Sequence, residues 1–474
     1  MSNQAYLLSI ARTLRDTVVP AMEPGSARLA VLGCVRILLR LAQPQVGEIE
    51  PAPLPLEKLP PELRDALAVA TNRSLAAHEV PSENSALAPN RAAALDAAVA
   101  WIEHAQTSGN NRQAMSALVE WEGELQDAAE RIFAALETPA ARDQDKSTVI
   151  DPRALEAYFQ TRHGPQVKLT SFNQLHGGTS KQTALISLSG AKDLPTDFVI
   201  RRDQIAATMT GSVVHEFPLL QAVYDAGVAV PRPLFLEQSS VALGKPFVAL
   251  ERMAGKSMAS HFFVPPDRET ALGLAEQMAK LHAIPVQKFA GVFDDLPQSD
   301  SVDRRQQPFE KMCEEWRHFS KTPSVTMSAA FRWMQDNIDC AKGPMTLVHG
   351  DIGFHNMLVD GKRFVAMLDW ETAHIDNPAG DLGYVRPAIE QMLPWQEFFD
   401  HYIASGGQPV TQRQIHFFGM WEILRINIQL RHVRELYETG ATDDIRLGEV
   451  GVYYVPRFVH RISQHLRRAM RENG

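Results

Sequence analysis

Cysteine is scarce: 3 in 474 residues, at Cys34, Cys313 and Cys340, far apart and with no CxxC pair. That is too little thiol for a disulfide framework or a thiolate metal cluster, and it fits a reducing compartment. Long hydrophobic runs are missing as well. The most apolar stretch, Leu29 to Val35, is stopped by Arg36, far short of the roughly 20 residues a membrane-spanning helix needs. Met1 to Leu14 lacks a basic stretch leading into an apolar one, so no secretory signal is expected. Nor is there an excess of positive charge. The net charge of −9 supplies no general attraction for nucleic acid or an anionic membrane. The expectation is a cytoplasmic protein with neither nucleic acid nor membrane as partner.

What is present reads as globular: 45% hydrophobic and 22% charged residues. The length suggests about three compact units. Residues 1 to 140 carry helical periodicity, in Leu7, Leu8, Ile10, Ala11 and Leu14 and again from Leu29 to Leu41. A proline-rich break from Pro51 to Pro61 interrupts it. Helices are expected again at Pro61 to Ala70, Asn90 to Gln106 and Arg112 to Leu136, with a turn at Ser108 to Asn111. No ligand-spaced cluster of His, Cys, Asp or Glu occurs there, so this unit reads as a helical packing or interaction module. It is the candidate surface for a protein partner or self-association.

Pro139 to Ser147 is polar, unpatterned and linker-like. Asp151-Pro152 then opens a helix, with Asp at the N-cap and Pro in the first turn. From Lys168 the period shifts to strands: Lys168 to Leu175, Thr183 to Leu188, Asp197 to Arg202 and Lys245 to Arg252, with a helix ending near Asp225 between the last two. Beyond Glu269 helices dominate, apart from strand-like segments between Thr346 and Leu368 folded at the Asp360-Gly361 turn. A sheet-rich lobe at 151–255 followed by a helical lobe at 256–474 is an α+β arrangement.

The sharpest chemical signal is His349-Gly350-Asp351, then Asn356, then Leu368-Asp369-Trp370-Glu371. Phosphoryl transfer needs a carboxylate near the acceptor hydroxyl and divalent metal on the phosphate oxygens. Asp351 opens a loop between two strands and can meet the hydroxyl. Asn356 is a neutral oxygen ligand five positions on. The Asp360-Gly361 turn brings Asp369 back to the same point. Oxygen-only ligands of this kind suit Mg²⁺.

This constellation resembles the aminoglycoside phosphotransferase and choline kinase superfamily, and within it the phosphotransferases related to the kinase-like domain of certain acyl-CoA dehydrogenases. The similarity runs from about Asp151 to Arg434. It implies a bilobal kinase-like fold, preceded here by an all-helical unit, and ATP with Mg²⁺ as cofactors. By the same resemblance Gly177, Gly178, Thr179 and Ser180 form the phosphate-covering loop, glycines letting backbone N–H groups approach the phosphates. Arg201 takes the place of the strand's basic residue for the α- and β-phosphates, and Glu216 that of the helix glutamate that orients it. Pro218, just after Glu216, requires the helix either to start near Glu216 or to kink. Glu251 to Met253 correspond to the adenine-pairing hinge. His349 and Asp381 support the catalytic loop. His282 reads as a packed histidine.

Acceptor selectivity is expected within residues 384–474, where arginines and acids nearly balance, which argues against a strongly acidic pocket for polycations. Trp421 and Arg425 lie one helical turn apart and are candidate acceptor contacts. The resemblance implies a hydroxyacyl-CoA or related metabolite as the small-molecule hydroxyl acceptor. The alternatives are an aminoglycoside, macrolide or amino-alcohol kinase, and a catalytically silent nucleotide-binding regulator.

Overall fold

A computed structural model describes residues 7, 10–22, 26–41, 56–67, 89–105, 109–136, 150–175, 181–203, 212–257, 267–293, 296, 302–319, 324–439 and 448–472. In the N-terminal region the long helices are α1 (Ser26–Leu41), α2 (Pro89–His104) and α3 (Gly109–Leu136). Helix α3 begins at Gly109, so the expected turn residues Gly109 to Asn111 form its first turn. Polar and glycine residues are at home there, where backbone N–H groups lack helical partners.

Helix α4 (Pro152–His163) starts as expected, with the Asp151 side chain accepting from Arg153 N. It leads into an antiparallel five-stranded sheet of β1 (Lys168–Leu175), β2 (Lys181–Ser189), β3 (Asp197–Asp203), β4 (Pro233–Glu237) and β5 (Phe247–Glu251), ordered β1-β2-β3-β5-β4. Phe159 and Leu155 of α4 bury against Phe198, Ile186 and Phe247 on one sheet face. Strand β4 pairs antiparallel with β5 at the sheet edge.

Helix α5 (Val213–Asp225) is N-capped by Ser212, whose hydroxyl accepts from Val214 N. The helix therefore begins three residues ahead of Glu216, and Pro218 lies in its second turn. Since proline has no N–H, the Val214 carbonyl receives no donation from residue 218.

Gly255 carries the chain to the second lobe at φ 103°, and a Cβ there would stand 2.8 Å from Val359 O. Only glycine fits that approach. Strand β6 (Lys256–Ser257) pairs with β8 (Met357–Asp360), and β8 with β9 (Arg363–Met367). Strand β7 (Thr346–Val348) pairs with β10 (His374–Asp376). Around these strands stand α6 (Arg268–His282), α7 (Val302–Phe319), α8 (Val325–Asp336), α9 (Ala379–Ile389), α10 (Trp395–Ala404), α11 (Gln412–Glu438) and α12 (Val455–Glu472).

The helical lobe and the N-terminal helices share one core. Leu95, Ile102, Leu118 and Trp121 belong to the same buried cluster as Phe331, Trp333, Phe458 and Leu466. A smaller cluster joins Ala11, Val35 and Leu39 to Tyr453. Among the described residues no helix is long and apolar enough to cross a membrane.

Candidate active site

The loop after β7 is held from behind. The Asp381 carboxylate, at the start of α9 and 1% exposed, accepts from His349 N at 2.8 Å and Gly350 N at 3.0 Å. His282, buried as expected, approaches Asp381 at 3.2 Å through Nε2 and the Tyr402 hydroxyl at 2.9 Å through Nδ1. Burial alone would raise the Asp381 pKa. The His282 contact, then His349, outweigh it and hold the carboxyl below its ordinary range. Gly350 turns the loop at φ 77°, with the site of a Cβ only 2.6 Å from Thr372 O. The His349 ring packs at a tilt on Trp370, 4.7 Å between centroids, and bonds through Nε2 to Leu368 O at 3.0 Å. The loop is thereby tied to the strand end that carries Asp369.

Asp351 projects from this loop with its side chain one quarter exposed. Its Oδ1 accepts from the Tyr384 hydroxyl at 2.9 Å and its Oδ2 from Asn356 Nδ2 at 3.0 Å. His355 Nε2 lies 3.4 Å from Oδ2. Asn356 Nδ2 also donates to Asp351 O at 3.1 Å, which fixes the amide and directs its carbonyl oxygen away from Asp351. Tyr384 was not singled out from sequence. Its signal is spacing: Asp381 and Tyr384 are three apart on α9, so both reach the same loop. Burial first, then Asp351, pushes the Tyr384 phenol well above its ordinary pKa, so it stays a donor.

Across the cleft, Arg201 on β3 donates to Glu216 Oε1 at 2.7 Å and to Asp369 Oδ1 at 3.1 Å. Burial would lower the Arg201 pKa, but Glu216 and then Asp369 outweigh it and raise it. Asp369 sits at φ 65°, the only non-glycine positive φ among the described residues. Aspartate tolerates that region better than most residues, and such backbone is found where function holds it.

Lys181 was also missed. In the β2–β3 register Thr183 faces Arg201 and Lys181 faces Asp203, so all four side chains share one sheet face. The Lys181 ammonium, with its side chain 3% exposed, lies 3.3 Å from Asp203 and 3.4 Å from Glu371. Asp203 in turn accepts from Ser212 Oγ and Val213 N, binding the start of α5 to the sheet. Among the described residues, the ion pairs Arg201–Asp369 and Lys181–Glu371 join the lobes. Arg202 points to the opposite face, where it bonds Gln182 and Leu243 O.

The remaining expected residues separate. Gly177, Gly178, Thr179 and Ser180 lie outside the described residues. Glu251 ends β5 with Arg232 3.6 Å away, and Met253 follows in the connection to β6. Trp421 and Arg425 do not line one surface. Trp421 is 5% exposed, because the Arg305 guanidinium of α7, 5.4 Å over its ring, covers that side of α11. Arg425 reaches the loop after β7, donating to Gly350 O at 3.2 Å and to Glu422 at 2.7 Å.

Behind it His374, Asp376 and Glu422 bring ligand-type atoms within 4.8 Å of one another. Arg305 forks onto Asp376, and Arg425 holds Glu422. The carboxylates already have cationic partners, so the group reads as a buried charge network. Burial would lower the His374 pKa, but Asp376 and then Glu422 raise it to about 10.

The residues at the cleft fit a divalent cation. Around Arg201 and Lys181 stand Asp203, Glu216, Asp369 and Glu371, so the carboxylates outnumber the cations. Glu216 Oε2 is buried without a hydrogen-bond partner. Asp369 and the Asn356 carbonyl add oxygen donors, the set a hard cation takes.

Comparison with known proteins agrees with this geometry. A family model described as "Phosphotransferase enzyme family" matches residues 171–416, just over half of the chain. Acyl-CoA dehydrogenase family member 10 of Mus musculus is 26% identical over 263 residues, 52% of this chain and 23% of that protein. Acyl-CoA dehydrogenase family member 11 of Rattus norvegicus is 23% identical over 286 residues, 56% of this chain and 35% of that protein. The chain thus matches about a quarter to a third of the length of these relatives. A solved structure of a putative aminoglycoside phosphotransferase from Ralstonia eutropha superposes with a TM-score of 0.50 at 18% identity, covering 67% of this chain and 98% of that one. The fold is the bilobal kinase-like fold of these enzymes.

Proposed function

We propose that this chain, which belongs to the phosphotransferase enzyme family and is a small-molecule phosphotransferase with an alcohol group as acceptor, uses ATP with Mg²⁺ and takes an acyl-CoA-type hydroxyl as substrate. The observation that carries the reaction is the setting of Asp351. A part-exposed carboxylate is held by Tyr384 and Asn356, with Asp369 tied to the same loop through His349 and Leu368. Asp351 receives the proton of the acceptor hydroxyl as that oxygen attacks the γ-phosphorus and the bond to ADP breaks. Tyr384 and Asn356 keep its oxygens aimed. Asn356 and Asp369 would hold Mg²⁺, which when bound offsets negative charge on the phosphate oxygens. Arg201, oriented by Glu216, is placed to fork onto phosphate oxygens once it leaves Asp369. Glu251 to Met253 would pair with adenine.

Two observations support the acceptor class. Two arginines touch the groups around Asp351: Arg425, bonded to Gly350 O and to Glu422, and Arg461, 4.5 Å over the Tyr384 ring. Such a setting suits an anionic substrate better than a polycationic antibiotic. The aligned region is also shared with acyl-CoA dehydrogenase family members. The catalytically silent reading has little support, since the base and both oxygen ligands are intact. The test is Mg-dependent ADP formation across hydroxyacyl-CoAs, aminoglycosides, macrolides and choline-like alcohols. Stimulation by hydroxyacyl-CoAs alone is expected, and stimulation by an aminoglycoside instead would overturn the acceptor assignment.

A further inference from the structure

Helix α3 belongs to the N-terminal region, yet its contacts run toward the catalytic base. It lies antiparallel along α12, with acids on one helix meeting bases on the other. Asp127 takes Arg467 Nη2 at 2.9 and 3.0 Å, Glu120 takes Arg471 at 3.0 Å, and Glu130 takes Arg457 at 3.2 Å. His460 lies 3.5 Å from Asp127. The bases fall at positions 457, 460, 467 and 471, three to seven apart along one face of α12.

The helices also approach closely. A Cβ on Gly123 would stand 2.7 Å from Ser463 Oγ and 2.8 Å from Arg467 Cζ. A larger residue at 123 would have to push α12 away. Ser463 is fully buried at this crossing, so the seam is packed as well as charged.

On its other side α12 grips α9. Arg386 of α9 donates to Glu472 at 3.1 Å, and Arg468 of α12 pairs with Glu390 at the end of α9. Between these contacts and Asp351 stands Arg461. Its guanidinium lies 4.5 Å over the Tyr384 ring and donates to the Tyr384 carbonyl. Among the described residues no carboxylate pairs with Arg461. Its fixed partners are the ring and backbone of Tyr384, whose hydroxyl donates to Asp351 Oδ1 at 2.9 Å.

We propose that α3 is a positioning element of the catalytic centre: by clamping α12 it sets Arg461 on Tyr384, and Tyr384 in turn aims the Asp351 carboxylate. Residues 109–136 then belong to the catalytic unit, and Arg461 is a positioning residue acting through Tyr384. This rests on the reading of Asp351 as the base. The Tyr384 hydroxyl bonds Oδ1 while Asn356 holds Oδ2, so a shift of the ring re-aims Oδ1 about the Asn356 contact, and a displacement near 1 Å costs on the order of 100-fold in rate.

The test uses the full chain with ¹³C-labelled tyrosine, the Tyr384 signal being assigned from its loss in Tyr384→Phe. Arg461→Met should move that signal. Arg467→Glu and Gly123→Leu, remote from the site, should move it in the same direction. Asp127→Asn, which keeps side-chain size and is the gentler change, should move it less. Adding Asp127→Arg to Arg467→Glu should bring it back toward its original position. A Tyr384 signal unmoved in folded Asp127→Asn and Arg467→Glu would overturn the proposal. The readout needs no turnover, so it is separable from the base assignment, which fails if Asp351→Asn keeps wild-type phosphoryl transfer.

Discussion

Arg201 Nη2 lies 3.1 Å from Asp369 Oδ1, joining a strand of the sheet lobe to the end of the catalytic hairpin in the helical lobe. The same guanidinium holds Glu216 at 2.7 Å. The residue suited to grip nucleotide phosphates and the carboxylate suited to a metal are thus each other's partner. On the proposed reading, nucleotide and metal entering together would replace this pair with a phosphate on Arg201 and a cation on Asp369.

That exchange predicts the behaviour of Asp369→Ala. Affinity for ATP with Mg²⁺ should fall at least about tenfold, the cost of a metal-facing group. Affinity for ATP in chelator should change far less. Calorimetric titration under the two conditions measures both, and equal losses would count against Asp369 as a metal ligand.

Asp351→Asn should leave nucleotide affinity intact and lower turnover roughly 10²- to 10⁴-fold, the usual range for removing a positioned base. Tyr384→Phe should cost less, since Asn356 still holds Oδ2. Single-turnover rates at saturating ATP separate the two, and a Tyr384→Phe loss larger than that of Asp351→Asn would contradict the order of roles.

Lys181 makes a stability prediction. Removing one partner of a buried pair leaves an uncompensated charge, worth about 3–5 kcal/mol. Lys181→Met should destabilise by that order, because it takes the buried ammonium away from both Asp203 and Glu371. Combining it with Glu371→Gln should recover part of the loss. Denaturant unfolding of the three variants measures this, and additive losses would show that Lys181 and Glu371 do not interact.

His374 gives a pH dependence. Its folded pKa is raised to about 10 from 6.5 by Asp376 and Glu422, against burial, with Arg425 and Arg305 facing the same group. A raised cationic group stabilises fully below its unfolded pKa. Its contribution should therefore be complete below about pH 6.5 and fade as pH rises toward 10. His374→Gln should remove that part of the slope in stability between pH 6.5 and 10, and an unchanged slope would assign it to other groups.

Much of this was legible in the sequence because the catalytic hairpin is local. Asp351, Asn356 and Asp369 lie within one short stretch, and a turn signal at Asp360-Gly361 states how it folds. Asp381 was named through the family resemblance, and its carboxylate does brace the loop, accepting from His349 N and Gly350 N. What stayed hidden depends on register and long-range packing. Lys181 became meaningful only when strand pairing set it beside Arg201 on the cleft face. Trp421 and Arg425 share a helical spacing, yet α7 buries the first while the second reaches Gly350. The engagement of α3 with α12 joins segments more than three hundred residues apart, and no periodicity in either helix announces the other.

The most direct test of the central claim is ³¹P NMR of acceptor and Mg-ATP incubated with the wild-type chain or with Asp351→Asn. A new phosphate-ester resonance on the acceptor, growing as ADP forms and absent with Asp351→Asn, is the predicted result. ADP formed with inorganic phosphate alone, or an ester formed equally by Asp351→Asn, would contradict it.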